Sequence, residues 1–326
     1  MQVLITGVTG FTGGHLARTL ARRGYRVRGL LRRAELADTF ARDGVEPVIG
    51  DLTDPAALKR AVADCDVVYH IAAVYRQAGI PASAYRAVNT DAVGALMTAA
   101  ADAAVPRVVH CSTVGVHGHI VGAPATERAP LAPGDIYQDT KLAGERLARE
   151  VAARTGIELV IARPSGIYGP GDRRLLKLFR GVAHGRWVTL GSGRIYYHLT
   201  YIDDLVEGFR LCGETPGAAG RIYILAGGEV TTLNELVRLI AEEAGVRTPP
   251  MRLPVWPVWL LGAACEAVCV PLRIEPLLHR RRVDFFTKSR AFDISRARQE
   301  LGFNPAVGLR EGIRRTLEWY KEAGWI

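Results

Sequence analysis

Tyr137 and Lys141 stand four residues apart in the stretch YQDTK, a spacing that puts both side chains on one face of a helix. A phenol titrates near pH ~10, so acid/base work near neutrality requires a drop of ~3 units, worth about 4 kcal/mol. A lysine ammonium about 5 Å away supplies roughly 3 kcal/mol of that at an effective dielectric of about 20. The chemistry open to such a pair is proton transfer to or from an oxygen. Alone, Y-x-x-x-K arises by chance in many helices. Here it follows two hydroxyls, Ser112 and Thr113, which close the apolar run RVVHCST.

A glycine-rich turn, TGVTGFTGGH, is the second chemical feature. Gly7, Gly10 and Gly13, with Thr9, Phe11 and Thr12 between them, join an apolar run to an amphipathic helical pattern. Missing Cβ atoms let the backbone approach a pyrophosphate, whose charge suits the open amides and positive dipole end of a helix. That placement predicts a dinucleotide site. About twenty residues on, where a carboxylate would accept from the ribose hydroxyls of NAD, the second strand ends in Arg32 and Arg33. Guanidinium groups there pair with a 2′-phosphate, so NADP is expected, with NAD as the alternative. In GDLTD, after the third strand, Asp51 and Leu52 fall against the adenine, Asp51 accepting from its amino group.

These residues need a scaffold that delivers strand ends to one place. QVLITG, YRVRGLL, VEPVIGD, DVVYHIAA, RVVHCST and ELVIARP read as strands, separated by helical patterns such as HLARTLARRG and LKRAVADC. Continuous apolar strands alternating with helices predict a doubly wound α/β domain around a parallel sheet. Right-handed crossovers then bring the loops after the strands to one edge. The expected organisation is a Rossmann-type NADP-binding domain over 1–168, to which 200–228 returns through the strand RIYILAG, and a smaller C-terminal substrate lobe over 169–326.

The 326-residue chain is 48% hydrophobic and 23% charged, which suffices for a large core. Its net charge of +9 rests on scattered arginines, since only five of the 42 basic residues are lysines. With no nucleic-acid motif beside it, this charge points to anionic small molecules rather than nucleic acid. The run Arg280 to Arg282 reads as a solvated helix face. Five cysteines (Cys65, Cys111, Cys212, Cys265, Cys269) fit neither a disulfide framework nor a zinc site, so a cytoplasmic setting and no metal are expected. No secretory signal is read at the N-terminus. The segment LPVWPVWLLGAACEAVCVPL (253–272) raises the membrane question. Its three prolines and Glu266 argue against an integral span, so a substrate-covering helix is the first reading and shallow membrane contact the second.

Read together, TGVTGFTGGHL, GDLTD, VVYHIAA, VNTDAVGALMTAA, CSTVGVHG, YQDTK, ARPSGIYGPGD, YIDDLVEGF and FDISRARQELGFNP resemble an extended short-chain dehydrogenase/reductase, of the epimerase/dehydratase superfamily, over nearly the whole length. The resemblance implies that Tyr137 is the catalytic acid/base and that Lys141 lowers its pKa and hydrogen-bonds the nicotinamide ribose. Aligning VHG with the family's V-Y-G puts Thr113 in the position of the serine that orients the carbonyl, with Ser112 as the alternative. Ala72 and Ala73 would line the cofactor cleft, and the backbone from Pro164 to Ile167 would face the carboxamide. Asn89 would be structural or part of a proton relay. His70 reads as a packed strand residue, and His117 replaces a tyrosine common in the family. By analogy a homodimer is expected, paired through helices within 89–104 and 137–153.

The resemblance leaves the substrate open. In the sugar-nucleotide branch the segment before YIDD carries an arginine for the phosphates. In GRIYYHLTYIDD that position is Tyr197, with Arg194, Arg173 or the run at 280–282 as substitutes. The apolar segment, with Trp256 and Trp259, and the RRRVDFFTKSRAFDISRARQELGFNP that follows are closer to hydroxysteroid and sterol-carboxylate dehydrogenases and dihydroflavonol-type reductases. The expected activity is therefore an NADP(H)-dependent oxidoreductase interconverting alcohol and ketone on an apolar small molecule, steroid-like or cyclic. The alternatives are a nucleotide-sugar epimerase or dehydratase with tightly bound NAD, and a non-enzymatic NADP sensor. Tyr137 and Lys141 argue against the sensor.

Overall fold

Apolar residues in runs of four to seven build the main sheet of the computed structural model, which describes residues 1–76, 79–269 and 283–326. Its strands are β1 (Gln2–Thr6), β2 (Arg26–Leu31), β3 (Val45–Ile49), β4 (Val67–His70), β5 (Arg107–Cys111) and β6 (Glu158–Pro164). After β7 (Gly166–Tyr168), β8 (Thr189–Leu190) and β9 (Tyr196–Tyr201), β10 (Ile222–Leu225) returns to it. The seven strands lie in the order β10-β6-β5-β4-β1-β2-β3, every pair parallel. Strands added after β1 run one way to β3, and those after β4 run the other way. The order thus reverses between β1 and β4, the crevice where ligands of doubly wound sheets bind.

Alternate residues along each strand face opposite sides, and both sides are covered. On one face Leu4, Val68, Val108 and Leu159 meet α3 (Pro55–Val62), α5 (Ala92–Asp102) and α6 (Ile136–Thr155). On the other, Val3, Ile5, Tyr69, Val109 and Val160 meet α1 (Phe11–Arg22) and α8 (Ile202–Glu214). Two short helices, α2 (Ala37–Arg42) and α4 (Ala82–Arg86), lie in connections, and α4 runs into a π-helical turn at Ala87–Asp91.

Three further strand pairings lie outside the main sheet. β7 and β9 run parallel, and β11 (Val230–Thr232) adds antiparallel to β9; β8 pairs with β12 (Arg252–Leu253). The remaining helices are α7 (Leu176–Ala183), α9 (Leu233–Ala244), α10 (Val255–Cys269), α11 (Asp284–Thr287), α12 (Ser295–Leu301) and α13 (Leu309–Glu322). The carboxylate of Asp204 on α8 accepts from the amides of Ala306 and Val307 at 2.9 and 3.1 Å, which ties the C-terminal segment to the main body. Among the described residues no helix is long and apolar enough to cross a membrane. The arginines at 280–282 lie outside the described residues.

Candidate active site

The strand ends open into a cleft of about 1600 Å³. Its floor is the glycine turn. Gly7 has φ +74°, and a Cβ there would lie 2.7 Å from Ala72 Cα; a Cβ on Gly13 would lie 2.3 Å from Gly7 O. Only glycine allows the turn to close this tightly against both β4's exit and α1. Gly10 precedes α1 without a side-chain cap, so the amides of the first turn are left to the cleft. Thr9, Phe11 and Thr12 line the same turn.

Arg32 and Arg33, both exposed, border the cleft where β2 ends. Arg32 Nε lies 4.0 Å from Asp51 Oδ2, and Arg33 Nε lies 3.9 Å from Glu35 Oε1. Burial raises the Asp51 carboxyl. Hydrogen bonds from the Thr53 amide (2.8 Å) and hydroxyl (2.7 Å), with Arg32 nearby, outweigh it and hold the group below its usual range. Leu52, Ala72, Ala73, Pro164 and Ile167 complete this wall. The glycine turn, Arg32, Arg33, Asp51, Leu52, Ala72, Ala73, Ser112, Thr113, Tyr137, Lys141, Pro164 and Ile167 thus border one cleft, whereas Asn89 and Arg194 do not line it.

Asp135 starts α6. Its Oδ1 accepts from Gln138 N at 2.9 Å, and its Oδ2 accepts from Arg76 Nε at 2.6 Å. One turn apart on the buried face follow Tyr137, Lys141 and Glu145. Lys141 Nζ is buried and has no hydrogen-bond partner among the described residues. Burial lowers its pKa, against the pull of Cys111 and Glu145. Tyr137 is flanked by Tyr75, edge-on at 5.0 Å, and by the Arg76 guanidinium 5.3 Å from its ring centre. Burial drives the phenol above its usual range, helped by Tyr75 and Cys111, and the cations Arg76 and Arg174 only partly offset this. Arg76 is a cleft residue that sequence reading missed, as it missed Arg174 and Arg290. Arg76 sits in an irregular loop, and nothing in YRQ signals that Asp135, 59 residues on, will hold it there.

The two strand-end hydroxyls differ in what they are tied to. Ser112 donates to Glu145, whose carboxylate takes both Arg163 Nε (3.0 Å) and Nη2 (2.6 Å). Arg163 Nη1 lies 3.1 Å from His117 Nε2, and His117 Nδ1 lies 3.2 Å from Pro130 O. Ser112 therefore belongs to a buried chain that ends at His117, which gives the histidine a packing role. Thr113 Oγ1 accepts from Gly115 N at 3.0 Å, and no described residue takes its hydroxyl proton. The side chain of Asn89 bonds Val74 N, Val74 O and Thr140 Oγ1 at 2.8, 3.0 and 3.1 Å, pinning the segment that carries Tyr75 and Arg76 to α6. His70 bonds Thr6 Oγ1 at 2.8 Å and stacks on His110 at 5.3 Å; burial, then Lys141, push it down to about 3.

The cleft is also lined by Tyr197 and His198 of β9, Phe285 of α11, and Arg290 and Phe292 of the segment after α11. The Tyr197 hydroxyl donates to Phe285 O, and their rings are 5.2 Å apart. His198 is held between Gly227 O (2.7 Å) and Phe292 N (3.3 Å). Arg290 and Arg173 border the cleft, and among the described residues neither has an ion pair; Arg173 lies over the Trp325 ring at 4.8 Å. Arg194 is exposed and away from the cleft. The expectation of a substrate-covering helix at 253–272 is corrected. None of the described part of that segment borders the cleft, because its pairing with β8 leads α10 outward, with Trp256 and Trp259 exposed.

The family model described as NAD dependent epimerase/dehydratase family matches residues 3–226. A 3-beta-hydroxysteroid dehydrogenase of Mycolicibacterium neoaurum is 29% identical, with 98% of this chain and 92% of that protein covered. A UDP-glucose 4-epimerase of Vibrio cholerae is 30% identical, with 99% and 96% covered. The solved structure of MoeE5 in complex with UDP-glucuronic acid and NAD superimposes with a TM-score of 0.79 at 28% identity, covering 99% of this chain and 100% of that one.

Proposed function

Given that the chain belongs to the NAD dependent epimerase/dehydratase family, we propose that it is an NADP(H)-dependent oxidoreductase that interconverts an alcohol and a ketone on an apolar substrate. The carrying observation is Tyr197. Its hydroxyl is closed onto Phe285 O, so an aromatic wall of Tyr197, Phe285 and Phe292 stands where a phosphate-binding arginine would serve a sugar nucleotide. A buried apolar wall favours an apolar ligand by area removed from water.

The residues fit a dinucleotide. The Gly7–Gly13 turn and the uncapped start of α1 suit its pyrophosphate, and Arg32 and Arg33 suit a 2′-phosphate. The buried Lys141 ammonium, without a hydrogen-bond partner among the described residues, suits a ribose hydroxyl. When bound, this group supplies or accepts the hydride. Thr113 donates its hydroxyl proton to the substrate oxygen, and Tyr137 gives that oxygen a proton in reduction and removes it in oxidation. Positioning of the oxygen by both groups at once carries part of the rate.

A nucleotide-sugar epimerase is the second reading, favoured by Arg173 and Arg290, cleft cations without carboxylate partners among the described residues. Mass spectrometry of the purified protein, followed by thermal-shift titration, separates the two. The redox reading predicts NADP or no bound nucleotide, and stabilisation by hydrophobic cyclic ketones with NADP. Retained NAD with stabilisation by UDP-sugars and none by ketones would overturn it.

A further inference from the structure

The apolar helix α10 stands apart from the cleft and exposes large hydrophobic side chains. Trp256 is 67% exposed, Leu261 64%, Leu260 51% and Trp259 44%, and every exposed side chain in its described part is apolar. Met251 and Leu253 extend the patch toward β12. A contiguous apolar face of this kind marks a binding surface.

Charge identifies the partner. β8 and β12 lay the arginine-bearing segment 186–194 against the start of α10: Gly191 N donates to Leu253 O at 2.8 Å, and Arg252 Nη1 donates to Ser192 O at 3.2 Å. Arg186, Arg194, Arg247 and Arg252 are all exposed there. No Asp or Glu occurs from 184 to 202 or from 245 to 265, and the chain carries +9 net. A second copy docked through the same face would bring two arginine collars together, four arginines from each copy against the single carboxylate that the described part of α10 carries, Glu266. Anionic headgroups above an acyl layer match both features, with tryptophan at the boundary. Fifteen helical residues span about 22 Å at ~1.5 Å each, short of a hydrocarbon core of about 30 Å. We propose that α10 and its arginine collar dock the protein on an anionic membrane surface, lying in the headgroup plane.

Co-sedimentation of the whole protein with phosphatidylglycerol-containing vesicles and with pure phosphatidylcholine vesicles tests this. Binding to the anionic vesicles is expected, falling severalfold at high salt and on neutral lipid. L260E with L261E should weaken it at least tenfold, and replacing Arg186, Arg194 and Arg252 with glutamine should cost about fivefold each on anionic vesicles alone. Because these residues lie outside the cleft, reduction of a soluble ketone should persist in both variants and reports that they fold. The salt response of the native chain needs no substitution. No sedimentation of the native chain, or equal sedimentation of the apolar variant, would overturn the proposal. So would an L260E/L261E variant that turns a dimer into a monomer in vesicle-free light scattering.

Discussion

Tyr137 stands where burial works against it. The phenol is driven above its usual range, and the cations that oppose this are Arg76 from the loop after β4 and Arg174 from the loop after β7. Arg76→Gln should therefore raise the Tyr137 pKa further. A charge about 5 Å away at an effective dielectric of about 20 is worth up to roughly 2 units, and Asp135 cancels part of it, so about one unit is expected. The sign follows from the chemistry: alcohol oxidation needs the phenolate, so its rising limb moves to higher pH, and ketone reduction, which needs the phenol, is kept to higher pH. A pH–rate profile checks this, and an unmoved limb with unchanged kcat would refute it. At the other end of the cleft, replacing Arg32 and Arg33 with alanine should weaken NADP roughly tenfold or more and NAD little, read by titration calorimetry. Equal losses would make them surface charges. The residues proposed to hold the cofactor could be named from the sequence because a strand end and a glycine turn are local in sequence. Arg76, Glu145 and Arg163 were not, since each acts through a partner distant in the chain.

At the scale of elements, α6 and β6 are joined by the buried Glu145–Arg163 pair, which also takes the Ser112 hydroxyl. Removing one partner strands a buried charge. Glu145→Gln is expected to cost about 3 kcal/mol in denaturant unfolding, while Glu145→Met with Arg163→Met should recover much of it. A single variant as stable as the native chain would show that the pair is solvated. The same chain explains why Ser112 and Thr113 could not be told apart by spacing: both follow β5, and only the α6 packing commits one of them. The misreading of α10 has a different cause. An apolar composition ordinarily signals burial, yet whether such a helix faces a cleft or solvent is set by where the β8–β12 pairing sends it.

For the whole molecule, the alternation of strand and helix sufficed to read a doubly wound sheet, and the strand pattern RIYILAG to read its seventh member, β10. The strand order and the small β11-β9-β7 sheet were out of reach, because they depend on pairings between distant segments. That sheet positions Tyr197 and hence the apolar wall on which the substrate reading rests. The central claim is that this cleft performs proton-coupled hydride exchange with Tyr137 as the acid/base. Tyr137→Phe removes one oxygen and leaves the ring between Tyr75 and Arg76. Turnover of a hydrophobic ketone with NADPH should fall at least a hundredfold, while the NADP dissociation constant stays within a few-fold. Turnover within a few-fold of the native chain would contradict the account.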